Sequence, residues 1–255
     1  MKVNKIFPSV FIGLSLLFFL GGCELTEEKA DEENLQEEYV LLRSHDNPII
    51  VPFIKQYLIN YLIEVALGAE YGNGIRLLKK WKKPMKLYIG GNPPAFLNPE
   101  IDAILTEINT LATDDFYIQK VRDSAQANAY LYIGSALEFT KRYPSASSLV
   151  VDNFGLVAVE INTKFEIEKA FFFVDSERAH NREQKHILRE EITQGLGLLN
   201  DIPYNYYSIF FSGRSETDEY HNDDREIIRL LYHPLMQPGI DSTQIDRVGK
   251  QIMGL

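Results

Sequence analysis

The sequence contains one cysteine, Cys23, and this alone excludes two common ways of stabilising a fold. No disulfide can form within the chain, and cysteine-ligated zinc or iron–sulfur sites need several thiolates. The fold must therefore rest on a hydrophobic core, for which 255 residues with 45% hydrophobic side chains suffice. A chain of this length suits one large domain or two small ones. Cys23 itself is left as a nucleophile, a buried apolar residue or a site of modification.

The position of Cys23 favours modification. Lys2 and Lys5 precede an apolar stretch at residues 6–20, which runs into Leu20-Gly21-Gly22-Cys23. A basic start, about 15 apolar residues and small residues before a cleavage site are typical of a secretory signal peptide, whereas a spanning helix needs about 20. The last four residues resemble the bacterial lipobox, whose cysteine carries acyl chains such as palmitate. We therefore predict a lipoprotein signal peptide over residues 1–22, with an ordinary signal anchor as the alternative.

The predicted acylation of Cys23 implies a cell-envelope protein held at a membrane, with the leaflet left open. Residues 23–47 then form a tether, because residues 24–38 hold eight acids and one lysine without apolar periodicity. The formal charge of −10 argues against a nucleic-acid partner. The one basic cluster surrounds Trp81 and predicts a solvated helix end, with contact to anionic lipid or sugar as the alternative. This cluster comprises Arg76, Lys79, Lys80, Lys82 and Lys83.

Residues 48–255 are predicted to form one domain, since they contain no internal repeat and no linker. Apolar spacing predicts mixed helices and strands over the first two thirds and a helical, irregular last third. This order suits an α+β domain, with a sheet and a mostly helical C-terminal part. The predicted helices cover residues 50–69, 98–111, 186–199 and 223–231, and the predicted strands cover 86–89, 116–121, 129–133, 149–151, 156–161 and 170–174.

The segment 186–201 is the most informative about function. Three polar side chains recur at every fourth residue and share one face of the predicted helix; they are His186, Glu190 and Gln194. Glu191 follows Glu190 in the sequence and therefore lies beside that face of the predicted helix. Gly197 can adopt the left-handed conformation that ends a helix, after which the chain turns back and presents Asn200. Polar groups converging beside a carboxylate are how a helix-borne metal site with a general base is built.

This segment resembles the zinc-binding motif of the metzincin proteases, H-E-x-x-H-x-x-G-x-x-H-D. Three positions agree with the family: Glu191 as the general base, Gly197 as the glycine and Asp201 as the last acid. The three histidine positions are occupied by other residues, namely Glu190, Gln194 and Asn200. The resemblance therefore implies a metal site on this helix whose ligand set has changed.

Two downstream segments agree in order with the same family. Ser208-Ile209-Phe210 stands where metzincins place the Met-turn below the metal, with Phe210 in place of the methionine. The run from Asp223 to Tyr232 matches the closing helix of the matrix-protease branch. The resemblance implies a metzincin-like fold, with a twisted mixed sheet, an antiparallel edge strand and an active-site-like helix. The same motifs also resemble an uncharacterised bacterial domain family that is often found on lipoproteins.

The residues at the ligand positions argue against zinc. Zinc prefers imidazole and thiolate, whereas Gln194 and Asn200 offer amide oxygens that suit harder cations. Without a metal-bound water, Glu191 would have no nucleophile to activate. Two alternatives remain open. A divalent cation could be held at a shifted site that includes His186, or a metal-free cluster that includes Asp201 could hold itself together by hydrogen bonds.

We therefore expect an envelope lipoprotein whose metzincin-like cleft binds a peptide or envelope protein, or serves in assembly, without hydrolysis. The edge strand offers a place for an extended peptide. The alternative is a metal-dependent peptidase or hydrolase that uses Glu190, Gln194 and Asn200 as ligands and Glu191 as general base. A lipid-anchored spacer is the third hypothesis. The sequence contains no nucleophile elbow, P-loop or dinucleotide fingerprint.

Overall fold

Six strands form one mostly parallel sheet in the computed structural model, which describes residues 50–68, 75–213, 215 and 217–255. The predicted signal peptide, Cys23 and the tether lie outside the described residues. The strands are β1 (Lys80–Trp81), β2 (Met85–Gly91), β3 (Ile118–Val121), β4 (Ala129–Gly134), β5 (Gly155–Ile161) and β6 (Glu166–Asp175). Their order is β1-β6-β4-β2-β3, and β5 pairs with β6.

Strand direction and side-chain alternation together set the two faces of the sheet. All ladders along the main order are parallel, whereas β5 runs antiparallel to β6. In β4, Ala129, Leu131 and Ile133 are buried, while the tyrosines between them are half-buried on the other face. That second face carries a smaller core, in which Phe139 stacks on Phe173 with ring centroids 4.5 Å apart.

Six helices complete the described part of the chain and confirm the predicted α+β class. They are α1 (Ile50–Leu67), α2 (Leu97–Leu111), α3 (Ala136–Arg142), α4 (Asn181–Gln194), α5 (Asn222–Leu231) and α6 (Ser242–Met253). Side chains of His180, His221 and Asp241 cap the last three helices, each as part of a capping box. The main core contains fully buried residues from five helices and the sheet, among them Leu62, Leu87, Ile104, Leu188, Ile228 and Ile245.

Some element predictions are wrong in their bounds or type. The strand predicted at 149–151 is a turn, because the carbonyls of Val150 and Val151 accept hydrogen bonds from the Arg178 guanidinium instead of a neighbouring strand. The helix predicted to begin at His186 begins at Asn181, where the preceding His180 caps it. The sequence patterns missed β1, α3 and α6.

The interpretation of the basic cluster as a solvated helix end is wrong for two of its lysines, Lys79 and Lys80, which are buried. Lys80 lies in β1 and is fully buried. Its ammonium donates to the carbonyls of Leu231 at 2.7 Å and Met236 at 2.9 Å, and it pairs with Asp114 at 2.7 Å. Lys80 therefore satisfies the carbonyl of the last residue of α5 and one carbonyl of the segment that follows it. Burial lowers its pKa to about 8.

Helix α1 is, among the described residues, the one helix that is long and apolar enough to cross a membrane. Its C-terminal half also belongs to the main core: Leu58, Leu62 and Val65 are buried there. Phe53, near its start, is 73% exposed. The residues from Pro52 to Leu255 form one compact unit.

Candidate functional site

A cleft of about 620 Å³ lies along α4. One wall is the segment that leads into β5, and the opposite wall is the segment that follows Asp201. The residues from α4 and its N-terminal approach that line the cleft are His180, Glu183, His186, Ile187, Glu190 and Glu191. Four residues that the sequence singled out, His186, Glu190, Glu191 and Asp201, therefore share one cleft.

Glu191 lies in contact with the first residue of β5. Its side chain is buried, and a Cβ atom built at Gly155 would overlap its carboxylate oxygen Oε1 and the Ile187 side chain. Glycine allows this close approach between α4 and the start of β5, whereas any larger residue would require the Glu191 and Ile187 side chains to shift. The predicted general base thus borders the strand as well as the cleft.

His186 and Glu190 form a pair one helical turn apart. The imidazole Nδ1 lies 2.7 Å from the carbonyl of Thr217, which can only accept, so Nδ1 carries the hydrogen. The other ring nitrogen, Nε2, lies 3.5 Å from a carboxylate oxygen of Glu190. His186 therefore links the segment around Thr217 to the polar face of α4.

The other two ligand positions of the metzincin-like motif face different partners. Gln194 is buried and its amide donates to the Asp201 carboxylate at 2.8 Å. Asn200 turns to α1, where its amide donates to the carbonyl of Glu64 at 3.3 Å and its backbone N–H donates to the carbonyl of Val65. In the described residues, no group of three or more His, Cys, Asp or Glu side chains has the geometry of a metal site.

These contacts test whether a zinc ion fits the site. A catalytic zinc needs three converging protein donors. Gln194 is engaged with Asp201, and Asn200 is engaged with the backbone of α1. The three residues at the ligand positions therefore do not fit zinc.

The C-terminal end of α4 is fixed by buried aromatic residues. Trp81 donates from its indole to the carbonyl of Gly195 at 2.9 Å, and Tyr232 donates its hydroxyl to the carbonyl of Leu196 at 2.9 Å. Gly197 has φ of 112° and passes so close to the carbonyl of Lys79 that a Cβ would overlap it. Helix carbonyls without intrahelical partners are thereby satisfied.

A second buried cluster lies behind the cleft, and we call it the turn network: Tyr61, Ser208 and Asp224. Asp224 accepts from the hydroxyls of Ser208 at 2.7 Å and Tyr61 at 2.9 Å, and from the backbone N–H of Ile209 at 3.0 Å. All three members are buried. Burial raises the pKa of Asp224 above its ordinary value, against the lowering effect of these hydrogen bonds. The network ties the turn at 208–210 to α1 and α5.

Phe210 follows the turn network and is fully buried. Its ring meets that of Tyr61 edge-on, with centroids 6.5 Å apart. Its backbone N–H donates to Ser208 Oγ, and its carbonyl accepts from the N–H of Ile202 at 2.8 Å. The turn is therefore joined to the chain segment that leaves Asp201, which forms one wall of the cleft.

The face of α4 away from the cleft is held by charges. Arg189 pairs with Glu100 at 2.7 Å and with Glu107 at 3.2 Å, both on α2. Its guanidinium lies 4.6 Å from the ring centroid of Tyr220, whose hydroxyl bonds to Thr193 at 2.6 Å. This packing fixes the rotation of α4, so that the Glu190 and Glu191 side chains are directed to the cleft.

A family model described as a protein of unknown function, DUF2927, matches residues 55–251. This chain belongs to the DUF2927 family. The match runs from α1 into α6, so the DUF2927 domain contains the whole cleft and the turn network. A search of curated proteins found no match to the sequence.

The sequence did not single out Arg178, which shapes one wall of the cleft in this DUF2927 domain, the segment that leads into β5. The Arg178 guanidinium pairs with buried Asp175 at 2.5 Å and donates to the carbonyls of Val150, Val151 and Asn153. It therefore holds the loop that leads into β5. The only signal in the sequence was an acid and an arginine three residues apart at the end of a strand, which is too common to single out.

Proposed function

We propose that this DUF2927 domain is the extracytoplasmic part of an envelope lipoprotein, and that its metzincin-like cleft binds an extended peptide segment of an envelope protein without hydrolysing it. The contact between Gly155 and Glu191 carries the proposal, because it places the start of β5 directly on the polar face of α4. A peptide that runs along β5 would therefore cross the cleft.

Strand addition is the binding mode that this arrangement favours. In the described part of the sheet, β5 pairs only with β6, and we propose that its other edge accepts the peptide backbone. Exposed edges present unpaired N–H and C=O groups, and peptide recognition by added strands uses them for affinity and adjacent pockets for specificity. The cleft below β5 is such a pocket.

The charged side chains that line the cleft are mainly acidic, and an exposed aromatic side chain lies at its edge. Among the described residues that line the cleft, carboxylates outnumber the one arginine, Arg178, which is engaged by Asp175 and three carbonyls. Peptides with lysine or arginine side chains should bind best. Tyr206 is 55% exposed and packs edge-on against Phe211, which lines the cleft. The acidic lining residues are Asp152, Glu183, Glu190, Glu191 and Asp201.

The contacts at the ligand positions support binding without hydrolysis. The amides of Gln194 and Asn200 contact Asp201 and α1, and this supports a scaffold role for them over metal ligation. Glu191 then acts as a hydrogen-bond and charge partner for the peptide. The envelope location rests on the signal-like start of the sequence and on Cys23, and palmitate labelling that is lost in Cys23→Ala would support it.

The experiment begins with selection of binders from a random peptide library on residues 24–255, which lack the predicted signal peptide and Cys23. Affinities of the selected peptides are then measured for Ala158→Pro and Val159→Pro. Neighbouring residues of an antiparallel strand alternate between donating to the partner strand and donating outward. We expect the variant that keeps its stability to lose peptide binding, since proline removes the outward N–H.

Two outcomes would contradict the proposal. If both proline variants keep full affinity while folded, the peptide does not add to β5. If the selected peptides are cleaved, and Glu191→Gln abolishes the cleavage, the protein is the metal-dependent hydrolase of the alternative hypothesis.

A further inference from the structure

A second surface with distinct chemistry lies at the other end of the sheet. We call it the basal patch, and it consists of Ile75, Arg76, Lys82, Lys83 and Leu235. All five residues are exposed, with Ile75 at 56% and Leu235 at 45%. Three cations beside two exposed aliphatic side chains stand out in a chain whose formal charge is −10.

Backbone contacts hold the two segments of the basal patch together. The N–H of Leu78 donates to the carbonyl of Ile240, and the N–H of Gly239 donates to the carbonyl of Leu78. Lys82 reaches across with a 3.4 Å hydrogen bond to Gln237. Because buried Lys80 also bonds to the carbonyl of Met236, the patch rests on a rigid base.

The charge of the basal patch is available to a partner. Among the described residues, Arg76, Lys82 and Lys83 have no ion-pair contact, and the 3.4 Å bond of Lys82 is to a neutral amide. Two acids on adjoining segments are engaged locally: Glu166 accepts from Asn162, and Asp241 caps α6.

We propose that the basal patch docks on an anionic lipid surface. Basic side chains near such a surface are attracted to its headgroups, and exposed aliphatic side chains between them can enter the interface. The net-negative protein would be repelled elsewhere, so the patch selects one orientation.

Strand β6 shows what that orientation means for the cleft. Its first residue, Glu166, is the strand partner of Lys80 in β1, beside the basal patch. Val174, near its end, is the strand partner of Gly155 in β5, at the cleft. At about 3.3 Å per residue, these positions lie roughly 26 Å apart. Docking through the patch would therefore direct the cleft away from the bilayer.

A lipid anchor at Cys23 would not set this orientation by itself. The residues between Cys23 and α1 have an extended length on the order of 90 Å, which exceeds the length of the sheet. The orientation rests on the proposed envelope location, whereas affinity for anionic lipid does not depend on the peptide-binding proposal.

The test is flotation of residues 24–255, which contain the whole compact unit, with vesicles of phosphatidylcholine alone or mixed with phosphatidylglycerol. We expect binding to the mixed vesicles only, weakening as salt rises. In the variant Arg76→Glu/Lys82→Glu/Lys83→Glu, partitioning should fall by on the order of 100-fold, at about fivefold for each cation.

The control variant makes the same charge change elsewhere, at Arg122→Glu/Lys141→Glu/Arg182→Glu, all three exposed. We expect it to bind vesicles within about threefold of the wild type, because its three changed residues lie outside the basal patch. Equal loss in both triple variants, no binding of the wild type to the mixed vesicles, or binding to a soluble polyanion such as RNA without vesicle binding would overturn the proposal. Peptide affinity, measured in parallel, should be unchanged in the patch variant.

Discussion

The ligand positions on α4 and the turn network behind them differ in how their polar groups are satisfied. Glu190 and Glu191 border an open cleft, whereas Tyr61, Ser208 and Asp224 are buried and bonded to one another. Gln194 and Asn200, which the sequence assigned to the cleft, bond instead to the scaffold. Polar residues at metal-site spacing on a helix can therefore serve as hydrogen-bond partners of the scaffold, while ion pairs hold another face of the same helix.

The largest expected effect comes from removing the centre of the turn network. Asp224→Ala would remove the buried acceptor of the Ile209 N–H and of the Tyr61 and Ser208 hydroxyls, of which only one can then donate to the other. We expect the free energy of unfolding to fall by about 3–5 kcal/mol, measured by urea denaturation. The exposed Glu219→Ala serves as control. A loss below about 1 kcal/mol would show that the network does not hold the turn.

The buried Lys80 predicts a pH dependence. Its pKa of about 8 in the folded protein lies below the ordinary 10.5, so between these values the unfolded chain binds more protons. Stability from this group is therefore present above pH 10.5 and lost as the pH falls through 8. Relative to Lys80→Met, the wild type should gain about 3 kcal/mol from pH 8 to 10.5. If the free energies of unfolding of the wild type and Lys80→Met change in parallel over this pH range, the pKa of Lys80 is not lowered by burial.

A smaller effect is expected where the cleft meets the sheet. Gly155→Ala places a methyl group against Glu191, and we expect it to destabilise the fold by about 1–3 kcal/mol and to weaken peptide binding. In the double variant with Glu191→Ala, the loss of stability should be smaller than the sum of the two single losses. Additive losses in thermal denaturation would mean that the two residues are not in contact.

The smallest expected effect distinguishes Asn200, which bonds to the scaffold, from Glu190, which lines the cleft. Asn200→Ala removes a hydrogen bond to α1 and should lower the free energy of unfolding by about 1 kcal/mol. Glu190→Ala removes the carboxylate beside His186 and should weaken the binding of basic peptides more than Asn200→Ala does. If Asn200→Ala weakened peptide binding more than Glu190→Ala did, Asn200 would belong to the cleft and Glu190 to the scaffold.

The sequence predicted elements better than contacts. The apolar spacing of residues 50–67 and the runs in β2, β4 and β6 made the α+β class predictable, because periodicity reports burial. It did not predict that Lys80 is buried, since a cluster of lysines is normally solvated and only the fold brings Asp114 and two carbonyls to it.

The same limit applies to the site. Spacing predicted that His186, Glu190 and Gln194 share a face, but it could not show that Asn200 turns to α1, since that contact joins residues far apart in the sequence. Arg178 was missed for a related reason: its role depends on three carbonyls of a loop that precedes it by more than twenty residues.

The most direct test of the account compares peptide binding with and without metal. A selected peptide is titrated into residues 24–255 in EDTA and again with added zinc, and its mass is measured afterwards. We expect the same affinity in both conditions and an intact peptide. Affinity that requires zinc, together with cleavage that disappears in Glu191→Gln, would contradict it.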